Sequence, residues 1–392
     1  MALSSRENAS SRDSAPGLLP LALGIATNEP RSRYLIEALK ARGVVQATWD
    51  FDRVDRVTRA LVAALTFHPV RAEWWGRFQM HPLMQRRRRQ LLLRAMGEES
   101  VPVNALLCWG SWFHPFQGEA SPPPFFNYID QSRSLQPLPG ESPASSAGRV
   151  RSHALQAETY RDSSGIFCMS EWARAQTIEA HPAVADKVRV VGWGPCAVDL
   201  SAETPPEVRE NIVLHVSNDF RRKGVDYLVS TAERVAARVP DVQFLVVGQD
   251  KRADWVHDTA HVRFLGVQRG EALASLFRRA KVFFLPHRFD RSPHVLVEAM
   301  SAALPLVTSA QGGPMELIEG KGTGSYAPVG DIDGYSEALV SFLTDEDKRR
   351  HAGDAGRKLM REKYTWSSVT DRILDLIDEA RRAPSDLSRR RS

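Results

Sequence analysis

The sequence predicts an α/β protein made of two Rossmann-like, doubly wound domains that face each other across a cleft. Its 392 residues are enough for two domains of about 150 residues each. Hydrophobic residues make up 43% and charged residues 25%, so each half can bury a core. In both halves, apolar runs typical of buried strands alternate with amphipathic stretches typical of helices, which indicates parallel sheets with right-handed crossovers.

Ten strands are expected, five in each half of the chain. Those in the first half are Leu21–Ala26, Val44–Trp49, Val103–Trp109, Gly165–Ser170 and Val188–Gly192. Those in the second half are Ile212–Ser217, Val242–Gly248, Val262–Leu265, Val282–Pro286 and Leu304–Thr308. Helices are expected between these strands, among them Arg31–Arg42, Val225–Arg238, Glu271–Ala280 and Val295–Ala303.

Changes in composition set the expected domain boundaries. They are a disordered tail over 1–16, a first domain over 17–194, a linker over 195–210, a second domain over 211–365, a last helix over 366–382 and a disordered tail over 383–392. The long segment Pro115–Gly148 is rich in Pro, Ser and Gly, and it is either a functional loop or a disordered surface insertion.

Composition and charge exclude several classes of protein. The formal charge is only +5, divided as +4 (23 basic, 19 acidic) in residues 1–200 and +1 (29 basic, 28 acidic) in residues 201–392. Three cysteines without a Cys-x-x-Cys pair argue against a disulfide scaffold and the common zinc motifs, and they fit a reducing compartment. Because neither an apolar run of about 18 residues nor an apolar signal core is present, we expect a cytoplasmic protein.

One basic stretch, Arg86–Arg89, is followed by the apolar residues Leu91–Leu93. It is either a surface that rests on anionic lipids at the inner face of the membrane or an ordinary solvated helix face. Nucleic acid is not an expected partner, because the basic residues are not combined with a recognised nucleic-acid-binding fold.

The turns after the predicted strands indicate what the domains bind. The turn Ala26–Pro30 lacks a Gly-x-Gly-x-x-Gly pattern and the chain has no Walker motif, so nicotinamide, flavin and P-loop chemistry are disfavoured. In the second half, Asn218–Gly224, His287–His294 and Gly312–Pro314 each follow a strand and precede a helix. Parallel topology brings these helix starts to one sheet edge, where their amides and Lys223 favour an anionic ligand such as a diphosphate.

Two carboxylates are expected beside this edge. Asp290 precedes the helix Val295–Ala303, and Glu298 lies inside it, one turn after His294. Because a carboxylate can accept two hydrogen bonds from vicinal hydroxyls, Glu298 is a candidate to hold a ribose and Asp290 a sugar. The alternative is that Glu298 lies on an ordinary exposed helix face.

These motifs together resemble the retaining glycosyltransferases of family GT4, which have the GT-B fold. The family's two acidic residues, separated by seven others, correspond to the ends of Asp290–Glu298, and its Gly-Gly-x-x-Glu turn corresponds to Gly312–Glu316. Lys223–Gly224 resembles the family's Lys-Gly element, and Gly324–Asp331 resembles its closing loop. The likeness covers residues 165 to 370 or so, whereas the first domain matches only in size and in strand–helix rhythm.

The resemblance implies that the first domain binds an acceptor, that the second binds a nucleotide-diphosphate sugar, and that the helix 366–382 crosses back to the first domain. It also implies a set of roles: Asp290 at the transferred sugar, Glu298 at the ribose, Lys223 and the amides around His294 and Val295 at the diphosphate, and Gly248 and Val267 at the nucleotide. Asn218 occupies a position where many members have an arginine, for which either Arg221 or Arg222 is a substitute. Asp290 is one methylene shorter than the family's glutamate, and Pro293 replaces a common glycine.

In the first domain, His114 follows the strand that ends at Trp109 and is the candidate polar group near the reacting centre, unless it is an ordinary loop histidine. Asp130 is a second candidate. The expected activity is retaining transfer of a sugar to a hydroxyl of a glycan, a lipid-linked acceptor or a small-molecule glycoside, with no metal and no cofactor besides the donor. A non-catalytic binding protein of the GT-B fold and a nucleotide-sugar epimerase are the alternatives.

Overall fold

The computed structural model of the chain describes residues 19–132, 146–249 and 256–382 and contains two six-stranded parallel β-sheets with helices. The predicted α/β class with two parallel sheets is therefore confirmed. The predicted tails, 1–16 and 383–392, and part of the segment Pro115–Gly148 lie outside the described residues.

The first sheet has the strand order β2-β1-β3-β4-β5-β6. Its strands are β1 (Leu23–Thr27), β2 (Val45–Asp50), β3 (Ala105–Trp109), β4 (Phe125–Ile129), β5 (Gly165–Cys168) and β6 (Val188–Val190). The accompanying helices are α1 (Ser32–Lys40), α2 (Arg56–Leu65), α3 (Arg71–Gln79), α4 (Pro82–Gly97), α5 (Ser146–Asp162) and α6 (Glu171–Ala180), followed by a 3-10 helix at Pro182–Lys187. Strands β3, β4 and β5 are buried along their whole length, as expected for strands in the middle of a parallel sheet.

The second sheet has the order β12-β11-β10-β7-β8-β9, with every neighbouring pair parallel. Its strands are β7 (Ile212–Val216), β8 (Gln243–Val247), β9 (Val262–Phe264), β10 (Val282–Leu285), β11 (Leu306–Ser309) and β12 (Gly324–Ala327). Its helices are α7 (Val225–Ala236), α8 (Gly270–Arg279), α9 (His294–Ser301), α10 (Met315–Ile318), α11 (Ile332–Thr344), α12 (Glu346–Lys363) and α13 (Trp366–Arg382). Val213, Phe244 and Phe284 are fully buried and belong to one core cluster with side chains of α7 and α11.

Two strands were not expected from the sequence. Strand β4 lies inside the segment Pro115–Gly148, whose proline and serine content indicates a loop, yet its five residues Phe125–Ile129 are all buried. Strand β12 consists of Gly324–Ala327, whose glycine and serine have low strand propensity, and it forms the edge of the sheet by pairing with β11. Both strands are therefore defined by their neighbours in the sheet rather than by local composition.

By their contacts, the described residues fall into two compact units. The first lies within Met1–Tyr128, Val150–Phe167 and Thr370–Ser392, and the second lies within Ile129–Arg149 and Cys168–Val369. The domain boundaries expected from the sequence, at 194, 210 and 365, stay predictions.

Candidate active site

The second sheet reverses its strand order between β7 and β10, which are hydrogen-bonded neighbours. In open parallel sheets, the loops that follow the two strands at such a reversal form a crevice where ligands bind. Here these are the loops Ser217–Gly224 and Pro286–Pro293. The Arg288 amide donates to the Arg222 carbonyl at 2.8 Å, so the two loops are tied together through their main chains.

A buried ion pair joins the two loops. The Lys223 ammonium donates to Asp290 Oδ2, and both residues are only 8% exposed. Arg222 lies beside the pair, with Nη1 3.7 Å from Asp290 Oδ1 and 3.0 Å from the Phe289 carbonyl oxygen to which it donates. Because Arg222 rather than the exposed Arg221 approaches Asp290, the structure identifies which arginine accompanies the lysine.

The charges of this cluster determine its ionisation. Burial alone would raise the pKa of Asp290, but the positive charges of Lys223 and Arg222 hold that pKa well below its usual range. Asp219 accepts from Arg222 Nε at 3.1 Å and balances part of the second cation. Asp290 is therefore ionised at neutral pH, whereas burial lowers the pKa of Lys223 and the negative charge of Asp290 opposes that shift.

Two glycines allow the loops to approach each other closely. Gly224 has φ +73°, and a Cβ placed there would lie 1.8 Å from the Pro286 carbonyl oxygen. A Cβ at Gly313 would lie 1.6 Å from the Arg291 carbonyl oxygen. Any side chain at either position would push the main chains apart, so these glycines set the position of Lys223 and Asp290.

Helix α9 uses one face to hold the segment 194–200. His294 Nδ1 lies 2.7 Å from the Gly194 carbonyl oxygen, and Glu298 Oε1 accepts from the amides of Cys196 at 3.0 Å and Ala197 at 2.8 Å. One turn further, Ser301 Oγ accepts from the Leu200 amide at 3.0 Å. Glu298 is 4% exposed, and its burial raises the pKa of its carboxyl although the amides act in the opposite direction. The alternative of an exposed helix face for Glu298 is therefore wrong.

The remaining residues that are predicted to bind the donor differ in exposure and in local packing. Asn218 is exposed at the end of the loop after β7, and Val267 is 51% exposed. Gly248 directly follows β8 with φ +123°, and a Cβ there would lie 1.7 Å from the Ser217 carbonyl oxygen. Val295 is half-buried in the first turn of α9, where amides are left without partners inside the helix.

His114 lies in the first unit, and its hydrogen-bond partners belong to the same unit. It is 4% exposed, its Nδ1 accepts from the Phe116 amide at 3.2 Å, and its Nε2 lies 3.1 Å from Asp162 Oδ2. This pattern assigns the proton to Nε2, which donates to the carboxylate. Ser111, in the same loop, is bonded to Tyr160 at 3.0 Å and to Gln156 at 2.7 Å. Both side chains belong to a hydrogen-bonded loop after β3.

Sequence patterns did not indicate two further interactions of the second unit. Arg291 Nη1 lies 3.5 Å from Asp130 Oδ2, so the candidate Asp130 is brought to the residue that follows Asp290. Glu316, the last residue of the Gly-Gly-x-x-Glu turn, accepts from the Glu171 amide at 2.7 Å and from the Tyr364 hydroxyl at 3.3 Å. Its burial raises the pKa of Glu316 to about 7. The Arg291–Asp130 and Glu316–Glu171 contacts join residues more than 140 positions apart, and such pairs carry no local signal.

Two kinds of feature, a metal-ligand cluster and a membrane-spanning helix, are absent from the described residues. In the part of the chain that the structure describes, no three His, Cys, Asp or Glu side chains are grouped as metal ligands would be. Among the same residues, no helix combines the length and the apolar character that crossing a membrane requires.

Comparison with known proteins gives a match between part of the chain and one protein family. Residues 199–359 match the family described as glycosyl transferases group 1, and the match contains both loops of the crevice. This part of the chain therefore resembles a group 1 glycosyltransferase domain. The predicted resemblance to family GT4 is confirmed at this level, on the residues that include Lys223, Asp290 and Glu298.

The chain is also similar to proteins that are named as mannosyltransferases. The chain is 32% identical over 227 residues to a phosphatidyl-myo-inositol mannosyltransferase of Mycolicibacterium smegmatis, an alignment that covers 55% of this chain and 57% of the relative. It is 27% identical over 168 residues to a GDP-mannose-dependent mannosyltransferase of Corynebacterium glutamicum that acts on a phosphatidylinositol monomannoside, covering 40% of this chain and 44% of the relative. The alignments thus span about half the length of these curated relatives.

Solved structures show the likeness of the fold. Sucrose-phosphate synthase from Thermosynechococcus elongatus superposes with a TM-score of 0.68 at 16% identity, covering 91% of this chain and 98% of that chain. An Anabaena protein, HepE, crystallised with UDP, superposes with a TM-score of 0.65 at 14% identity, covering 92% of this chain and 100% of that chain. The expected GT-B class is confirmed by these neighbours.

Proposed function

We propose that the protein is a retaining glycosyltransferase that moves a sugar from a nucleotide-diphosphate sugar to a hydroxyl of an acceptor. The observation that carries the proposal is the buried Lys223–Asp290 pair, with Arg222 beside it, at the strand reversal of a group 1 glycosyltransferase domain. Two cations and the start of α9 provide a preorganised positive environment for a diphosphate. A glycan, a lipid-linked sugar or a small-molecule glycoside is the acceptor class.

The proposed chemistry follows from the charge that develops in the reaction. The bond between the anomeric carbon and the phosphate oxygen breaks, and its electron pair leaves with the nucleotide diphosphate. Lys223 and Arg222 stabilise that negative charge more strongly in the transition state than in the bound donor, which lowers the barrier. The acceptor oxygen bonds to the anomeric carbon on the face that the phosphate leaves, and its proton passes to the departing phosphate oxygen.

The other residues take supporting roles in this proposal. Asp290 orients the transferred sugar while it fixes Lys223, and Glu298 holds the ribose. A carboxylate has about four acceptor positions, so Glu298 can bind ribose hydroxyls in addition to the Cys196 and Ala197 amides. Asn218, Gly248, Val267, His294 and Val295 contact the nucleotide or the diphosphate. His114 is the polar group that the first unit contributes near the acceptor.

We also propose that the reaction needs no metal, because Lys223 and Arg222 supply the charge that a divalent ion would otherwise provide. The three cysteines are free, Cys108 and Cys168 in buried positions, which supports a reducing cytoplasmic location. Complete loss of turnover in EDTA, restored by a divalent ion, would show that the metal-independent mechanism is wrong.

A donor panel tests the proposed function. The protein is incubated with UDP-, GDP- and ADP-sugars, and free nucleoside diphosphate is measured with and without simple glycoside acceptors. We expect release of the diphosphate from one donor, retention of the anomeric configuration in the product by NMR, and loss of release in Lys223→Ala but not in the exposed-site control Lys321→Ala. Interconversion of the donor without diphosphate release would favour an epimerase. Absence of turnover and of any nucleotide-dependent thermal shift would favour a non-catalytic binding protein.

A further inference from the structure

An exposed apolar surface lies on helix α2 and the residues that follow it. Fourteen large hydrophobic residues are exposed among those the structure describes, and six of them fall within residues 57–75. We call these six the α2 surface: Val57, Leu61, Leu65, Phe67, Val70 and Trp75. Their exposed fractions range from 49% to 79%, so the residues are not covered by the rest of the chain that the structure describes.

The α2 surface is distinct from the face by which α2 packs on its own unit. Val62 is fully buried and forms a small core with Val54 of the loop before α2, Phe78 of α3 and Met84 of α4. Trp74 Nε1 donates to the Ala63 carbonyl at 3.1 Å and fixes α3 against α2. Helix α2 therefore has apolar residues on two sides, and only the inner side is needed for the fold.

The same region carries most of the chain's positive charge. Residues 50–99 contain ten arginines and six acids, a net charge of +4, whereas the whole chain has +5 and the rest of it therefore has +1. Arg56 and Arg71, each adjacent in sequence to a member of the α2 surface, are exposed and make no ion pair with any described residue. Arg86 on α4 is also exposed and makes no ion pair with any described residue.

The basic stretch on α4 is not itself a membrane-facing helix surface, as one interpretation of the sequence suggested. Arg88 is fully buried and donates to Asp52 and Gln79, and Leu92 is 1% exposed. Arg87 pairs with Asp55 at 3.1 Å, and Arg89 donates to Gln117 at 2.8 Å. The arginines of α4 mostly hold helices together, and the exposed apolar residues lie on α2 instead.

We propose that the α2 surface docks on a membrane that contains anionic lipids. Exposed Leu, Phe and Trp side chains insert into the boundary between headgroups and acyl chains, and the flanking arginines attract the negative lipid charge. A second copy of the chain is a poorer occupant, because a symmetric interface through this surface would bring two segments of net charge +4 together. The proposal does not depend on the sugar transfer proposed above.

Flotation with liposomes tests the docking directly. The purified chain is mixed with phosphatidylcholine vesicles and with vesicles that contain phosphatidylglycerol in addition, at low and at high salt. We expect binding to the anionic vesicles, weakened by salt, and little binding to the zwitterionic ones. The double variant Leu61→Glu/Leu65→Glu should lose more than about tenfold in affinity, and Arg56→Ala/Arg71→Ala about 25-fold, at about fivefold per arginine.

Matched controls separate docking from misfolding. Val208→Glu is the control for the leucine variants, because Val208 is 87% exposed and lies outside the α2 surface. Arg350→Ala/Lys321→Ala is the control for the arginine variants, because it removes two exposed cations outside the same surface. Both controls should bind vesicles as the unaltered chain does, and circular dichroism should show that all variants are folded. Equal binding by all variants, no binding to anionic vesicles, or a change of oligomeric state in Leu61→Glu/Leu65→Glu without a change in flotation would each overturn the proposal.

Discussion

The two sheets have the same number of parallel strands and a reversal of strand order beside their first strand, yet the loops at the reversals bury different groups. In the second sheet, the loops after β7 and β10 bury opposite charges, Lys223 and Asp290, between main chains held close by glycine. In the first sheet, the loop after β3 buries a neutral hydrogen-bonding group, His114, whose ring nitrogens are taken by an amide and a carboxylate. A buried charge pair is costly, and perturbed ionisable groups are more frequent at functional sites, so the difference supports the proposal that the second sheet binds the diphosphate.

The largest expected effect tests the charged side of this comparison. Lys223→Ala should lower turnover of the donor by about 10²- to 10³-fold, because one preorganised cation at the leaving group is lost. It should also destabilise the protein by about 3 kcal/mol, since the buried Asp290 keeps only the more distant Arg222 as a cationic partner. Steady-state kinetics and urea unfolding measure the two effects.

A double variant separates these two consequences of removing Lys223. Lys223→Met/Asp290→Leu replaces the pair by apolar groups and should recover most of the stability but none of the activity. Recovery of turnover in the double variant, or near-normal turnover in Lys223→Ala, would show that the pair is structural only.

A second test contrasts two carboxylates of the same sheet edge, the buried Asp290 and the half-buried Glu316. Asp290 has cations beside it and a lowered pKa, whereas Glu316 is bonded by an amide and a hydroxyl, and its burial raises its pKa to about 7 from an ordinary value of 4.5. The raised folded-state pKa means that protonated Glu316 stabilises the fold fully below pH 4.5, and that this contribution is lost as the pH rises to 7. Between pH 5 and pH 8, the unaltered protein should lose roughly 2–3 kcal/mol of unfolding free energy relative to Glu316→Gln.

Urea unfolding at the two pH values measures this difference. Glu319→Gln, at an exposed position in the next turn, is the control and should follow the unaltered protein at both pH values. If the unfolding free energies of the unaltered protein and Glu316→Gln changed in parallel with pH, the raised pKa of Glu316 would be contradicted.

The third test concerns the close approach of the main chains. Gly224 and Gly320 have similar φ values of +73° and +66°, but a Cβ has open space only at Gly320. Gly320→Ala should cost about 1 kcal/mol for the left-handed backbone alone. Gly224→Ala should cost about 2 kcal/mol more, because the Pro286 carbonyl must move, and it should weaken donor binding as well. Equal thermal shifts for the two variants would show that the loops can separate freely.

The smallest expected effect tests the first sheet. His114→Asn should lower transfer to the acceptor by about tenfold, at the lower end of the effects attributed to positioned polar groups. It should leave hydrolysis of the donor in the absence of acceptor unchanged, because the Lys223 cluster is intact. Diphosphate release with and without acceptor distinguishes the two reactions, and an equal loss in both would remove His114 from the acceptor side.

The sequence predicted well those features that depend on residues close to each other along the chain. Lys223 and Asp290 could be assigned to one edge because each follows an apolar strand and precedes a helix, and because parallel strands end on the same side. Lysine is also rare in this chain, 9 of 52 basic residues, which draws attention to Lys223. The contact between Lys223 and Asp290 needed the strand order, since only the pairing of β7 with β10 makes their loops neighbours.

What the sequence did not predict depends on distant main-chain groups. Glu298 binds amides about 100 residues away, and Arg209 donates to the carbonyls of Phe277, Arg278, Ala280 and Ala302. Main-chain amides and carbonyls are the same for every residue type, so such partners leave no trace in composition or spacing. Strand β4 was missed for a related reason, because its pairing partners rather than its proline-rich flanks define it.

The attachment of segment 194–200 to helix α9 has a practical meaning for recombining enzymes of this architecture. His294, Glu298 and Ser301 bind the backbone of Gly194, Cys196, Ala197 and Leu200, so this segment belongs physically with the helix and not with the strands that precede it. A chimera spliced at residue 211 would separate the helix from its own partner segment. A splice placed before Gly194 keeps this segment with its helix and leaves all four of these contacts within one parental sequence.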